Sequence, residues 1–113
     1  ERAKVFLDVS VFIAAAKSSS GGSALVLEIC QGKRFQAVST RKVFLEARRN
    51  IKKKFSEKEL IKFYQDSVNL SLEVAEPATE EEITEYCHLI EPEDAHVLAA
   101  AVKSSAAFLV TLD

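Results

Sequence analysis

Short apolar runs rich in Val, Phe and Leu alternate along this chain with longer stretches in which apolar residues recur every three or four positions. KVFL (4–7), FQAVS (35–39), LSLEV (70–74) and AFLVT (107–111) read as strands, and helices are predicted at about 10–16, 23–32, 41–54, 56–69, 79–90 and 92–104. The helix starts carry local support. Ser23 follows Gly22, Ser56 precedes Glu-Lys-Glu, Thr79 precedes three glutamates with Glu82 at the capping-box position, and Pro92 suits a first turn. The segment SSSGGS (18–23) lacks the Lys and the spacing of a phosphate-binding loop and reads as a linker between two helices. Strands separated by helices call for a parallel sheet covered on its faces, so the expected class is α/β.

At 113 residues with 48% hydrophobic content, residues 1–113 form one domain that can bury its own core. Cys30 and Cys87 show no C-x-x-C spacing and read as buried free thiols in a reducing compartment. No apolar stretch approaches the roughly 20 residues needed to span a bilayer, and no signal-peptide pattern opens the chain, so a cytoplasmic location is expected. The lack of Met and an apolar strand running into Asp113 lead us to expect a fragment of a slightly longer chain. A net charge of −2 argues against indiscriminate nucleic-acid binding, yet the charge is unevenly spread. RKVFLEARRNIKKK (41–54) is strongly basic with Glu46 as its single acid, whereas residues 73 to 94 are acidic without Lys or Arg; one face is expected to attract phosphate and another to repel it.

Four of the acids fall at positions that matter in a parallel αβ fold, whose ligands bind at the carboxyl edge of the sheet. Asp8 follows the first strand, Glu46 lies in the second turn after the strand at 35–39, Asp94 lies in the first turn of the helix leading into the last strand, and Asp113 follows that strand. Carboxylates crowded on one rim raise one another's pKa and repel, and a divalent cation relieves the conflict. Oxygen ligands without His or Cys suit Mg²⁺ or Mn²⁺, and such a site supports in-line attack of water on a phosphodiester. Singly, each acid has a plainer explanation. Asp8 can cap the following helix; Glu46 can pair with Lys42 or Arg49; Asp94, with Glu93, can complement the helix macrodipole; Asp113 can begin a turn.

The stretches LDVSVFIAA (7–15), VFLEAR (43–48), EDAHVLAAAV (93–102) and FLVTLD (108–113) together resemble the four motif blocks of the PIN domain family, metal-dependent ribonucleases that include the toxins of many toxin–antitoxin pairs. The resemblance runs over nearly the whole chain and lies in the order and spacing of the set. It implies a three-layer fold with a central parallel sheet of four to five strands flanked by helices, lacking its extreme C-terminal segment here because the family pattern continues past the last acid. It also implies that Asp8, Glu46, Asp94 and Asp113 are the catalytic, metal-binding acids, holding Mg or Mn, with Ser10 and Thr111 as supporting hydroxyls. Ser10 stands where family members commonly have Asn or another small polar residue.

On the substrate side, Arg48, Arg49, Lys52 and Lys53 lie away from the apolar arc Val43, Phe44, Ala47 and Ile51, where they either contact RNA phosphates or form a solvated face. Leu45, Phe55, Phe63 and Tyr64 look exposed and serve either core packing or, as the resemblance implies, contact with a second copy (a homodimer) or an antitoxin protein. His88 beside Cys87 lacks a second ligand pair for zinc, and His96, two positions after Asp94, can sit near the site although a helix puts it on a different face. Two other functions compete with the nuclease: a catalytically inactive PIN-like module that binds RNA or protein, and a phosphoacceptor regulator, which would need an acidic pair after the first strand and a Lys after the last.

Overall fold

A computed structural model describes residues 2–18, 21–32 and 34–111. Its elements run β1 (Ala3–Leu7), α1 (Val9–Lys17), α2 (Gly22–Cys30), β2 (Phe35–Thr40), α3 (Arg41–Lys54), α4 (Glu57–Asn69), β3 (Glu73–Ala75), α5 (Glu80–Tyr86), α6 (Pro92–Lys103) and β4 (Phe108–Val110). Among the described residues the sheet has four strands in the order β3-β2-β1-β4, every neighbouring pair parallel. The class is α/β, as expected. Stepping outward from β1 through β2 to β3 in one direction, and back to β4 in the other, puts α1–α4 on one face and α5–α6 on the opposite face under the right-handed crossover rule.

A sheet covered on both faces has no solvated side, and β1 shows it: Val5, Phe6 and Leu7 are all buried, as are Ala37 and Val38 of β2. Phe12 of α1 and Phe63 of α4 meet edge to face with ring centroids 5.8 Å apart, and Phe44 of α3 lies 4.8 Å from Phe63, so one aromatic cluster ties three helices together. Lys62 of α4 donates to the carbonyl of Ala15 at 2.7 Å and pairs with Asp66 at 2.9 Å, satisfying a C-terminal carbonyl of α1. Capping boxes start α4 at Ser56 and α5 at Thr79, with Glu59 and Glu82 as the reciprocal partners.

Three expectations need correction. The strand expected at 70–74 is confined to Glu73–Ala75, because Leu70 closes α4 with its side chain in the core and Ser71 turns the chain at φ 49° before pairing with β2 begins. The helix expected to reach residue 90 ends at Tyr86, where the amides of Cys87 and Leu89 switch to tighter i−3 bonds and Glu91, preceding Pro92, takes an extended conformation. Phe63 is fully buried and Phe55 half-buried, so neither belongs to an exposed face. Cys30 is a buried free thiol, its pKa raised by burial, and Cys87 is free but only half-buried. Among the described residues no helix is long and apolar enough to cross a membrane.

Candidate functional site

The register of the sheet builds the rim. Leu7 pairs with Val110 and Phe6 with Val38, so β1, β2 and β4 all end at one edge, followed by Asp8, Arg41 and Thr111. The backbone amide of Asp8 donates to the Val110 carbonyl at 3.2 Å, continuing the ladder one step beyond the strand. Asp8 then serves two roles. It is the N-cap of α1, with Oδ1 accepting the Val9 amide at 2.7 Å, and its Oδ2 accepts the Thr111 hydroxyl at 2.9 Å. Ser10 Oγ lies 3.4 Å from Thr111 Oγ1. Two strand ends a hundred residues apart in sequence thereby orient one half-buried carboxylate.

Beneath this rim the polar groups of β2 face inward. Ser39 is fully buried and donates to the carbonyl of Leu7 at 3.0 Å, and Thr40 caps α3 by accepting the Val43 amide at 3.2 Å. Neither residue was singled out from the sequence; the signal was a pair of hydroxyls closing a strand just before a helix. The Thr40 cap sets the phase of α3, which buries Val43, Ala47 and Ile51 and leaves Lys42 and Glu46, one turn apart, on the flank beside the rim.

The residue that reports the convergence is His96. Its half-buried imidazole has a pKa pushed below the ordinary 6.5, first by burial and then by the positive charge of Lys42, while Glu46, Asp8 and Asp94 oppose the shift in that order. One ring thus lies in the electrostatic reach of three acids and one cation drawn from the β1–α1 junction, α3 and α6. This agrees with the expectation that His96 can sit near the site although it lies on a different helix face from Asp94. Two residues separate it from Asp94 by about 200° around a helix axis, but α6 begins at the rim, and groups on different sides of a first turn can both address a site at the helix end.

Asp8 and Glu46 are half-buried and Asp94 is exposed. Asp113 lies outside the described residues. Among the described residues no three His, Cys, Asp or Glu side chains are drawn together closely enough to ligate one ion. The basic residues of α3 divide by helical phase at about 100° per residue: Arg49 and Lys53 share the flank of Lys42 and Glu46, whereas Arg48 and Lys52 share the opposite flank with Arg41 and Leu45. All four are exposed.

No curated protein matches the chain. The family model described as PIN domain matches residues 4–113, spanning every element from β1 to the last strand and each of the acids considered above. With that match across its length and its parallel sheet flanked by helices, the chain belongs to the PIN domain family.

Proposed function

We propose that this protein is an endoribonuclease that hydrolyses RNA phosphodiester bonds with Mg²⁺ or Mn²⁺, acting in the cytoplasm as the toxin of a toxin–antitoxin pair. PIN domains are generally nucleases and generally use divalent metal ions. The observation that supports the reading is the carboxylate of Asp8 at the carboxyl edge of the sheet, oriented by the Val9 amide and the Thr111 hydroxyl, with Glu46 and Asp94 bearing electrostatically on the same imidazole, His96, as Asp8 does.

The donor set fits a hard divalent ion held largely through water. Mg²⁺ keeps several waters and takes one or two carboxylates directly, and oxygen donors without His or Cys suit it. Asp8 is the natural direct ligand: the Val9 amide and Thr111 hydroxyl fix its orientation, and each of its oxygens keeps a free lone pair. Glu46, Asp94 and Asp113 are the other acids that would hold the ion. Bound there, the ion supplies Lewis-acid stabilisation of phosphodiester charge and acidifies water. The protein's own groups do the rest. Lys42, Arg49 and Lys53 draw the RNA backbone toward the Glu46 flank, and a neutral His96 leaves the acids' negative charge available to the cation.

The test is incubation of the protein with mixed RNAs, with and without EDTA, and again as Asp8→Asn, a change that keeps a competent helix cap. Cleavage is expected from the untreated protein alone; cleavage indifferent to both changes overturns the mechanism. The absence of a three-ligand cluster among the described residues favours one second reading, a catalytically inactive PIN-like module that binds RNA or protein. RNA binding that survives EDTA and Asp8→Asn, with no cleavage under any divalent metal, establishes it.

A further inference from the structure

On the side of α3 away from the rim, a groove of about 530 Å³ opens between α3, α4 and β3. Leu45, Tyr64, Val68, Leu72 and Val74 line it, with Arg41 at its mouth. Its exposure is not incidental: Val68 is 77% and Val74 61% accessible, and Ile61 continues the stripe of Tyr64 and Val68 one turn earlier along α4. β3 borders it as an edge strand, paired among the described residues only with β2. The groove walls hold no acid. Arg41 is among its lining residues, Arg48 and Lys52 follow on the same flank of α3 at i+7 and i+11, and none of the three takes part in an ion pair among the described residues.

We propose that this groove docks an acidic amphipathic segment of a partner polypeptide, whose apolar side chains enter between Leu45, Tyr64 and Val68 while its carboxylates meet Arg41, Arg48 and Lys52. The charge pattern selects this occupant over the others. A second copy would meet the patch about a two-fold axis and set the same cationic border against itself, which is repulsive. RNA needs cations beneath it, and this lining holds one, Arg41, beside side chains that are otherwise apolar but for Ser67 and the Tyr64 hydroxyl; of its two rings, Phe44 is already packed against Phe63 and Tyr64. A chain with apolar residues on one face and Glu or Asp on the other satisfies both features at once. The inference extends the proposed partnership with a polypeptide, and its readout involves neither RNA nor metal, so its failure leaves the nuclease reading standing and the reverse also holds.

The experiment measures fluorescence anisotropy of two labelled synthetic peptides, one carrying Leu on one helical face and Glu on the other, the second with Lys in place of Glu. The intact protein is expected to bind the Glu peptide and not the Lys peptide, less tightly as salt rises. V68D, at an exposed position that leaves the core alone, weakens binding at least tenfold by placing a carboxylate on the groove wall. The triple change R41E/R48E/K52E switches the preference to the Lys peptide. Equal binding of both peptides, no binding of the Glu peptide, or indifference to V68D overturns the proposal. So does self-association, or oligonucleotide binding, that V68D abolishes, because either assigns the groove to a different occupant.

Discussion

The two flanks of α3 face different problems. On one, Lys42 and Glu46 look toward a polar rim assembled from residues 8, 46, 94, 96 and 111, which come from four separate segments of the chain. On the other, Arg41 and Leu45 border an apolar groove built entirely within residues 41 to 74. The rim exists because parallel strands end in register; the groove exists because two consecutive helices and the following strand leave a seam. One helix serves both, and it sorts its cations between them by a phase that a single cap, Thr40, sets.

The comparison can be broken from the inside. Phe63→Ala removes the ring that joins Phe12 and Phe44, and a loss of about 3–5 kcal/mol in unfolding free energy is expected by denaturant titration. The groove should collapse with the α3–α4 seam while the pairing of β1 with β2 and β4 persists in any protein that stays folded; hydrogen exchange localised to α4 would show it, and equal loss of protection in β1 would refute the separation.

At the rim, Thr111→Val deletes the hydroxyl that orients Asp8. A cost of about 1 kcal/mol is expected. On the proposed function, metal-dependent cleavage falls about 10–100-fold, as it does when a group holding a ligand in place is removed. Wild-type cleavage by this variant would show that Asp8 needs no such support.

The two flanks can be told apart by salt. Replacing Arg49 and Lys53 with Ala should flatten the dependence of RNA affinity on salt by about 0.7 per lost phosphate contact, whereas replacing Arg48 and Lys52 should leave it unchanged. Equal effects from both pairs would erase the distinction.

The smallest effect is expected at His96. Its folded pKa lies below the unfolded value of about 6.5, so the unfolded chain takes up more protons as pH falls; stability is fully present above that pH and declines through the window below it. His96→Gln should remove that part of the slope in thermal unfolding between neutral and mildly acidic pH. An unchanged slope would place the titration elsewhere.

What the sequence determined by itself was periodicity and punctuation. Apolar runs and caps located the four strands and six helices of the described residues to within a few positions, because burial on both faces and the demand for capped helix ends leave direct marks on the residues concerned. The strand at 73–75 was overextended since Leu70 is equally apolar whether it ends a helix in the core or begins a strand, and only packing distinguishes the two. The acids Asp8, Glu46 and Asp94 were legible as strand-end and helix-start residues. Their shared relation to His96 was legible only in part: its place two positions after Asp94 put it near the site, but periodicity ranks residues by face around a helix and says nothing about what lies beyond its end. The Thr111 bond to Asp8, the inward hydroxyl of Ser39 and the division of the α3 cations were decided by the tertiary structure alone: each depends on strand register or on the neighbours of a helix, and no local pattern encodes which distant segment arrives beside it.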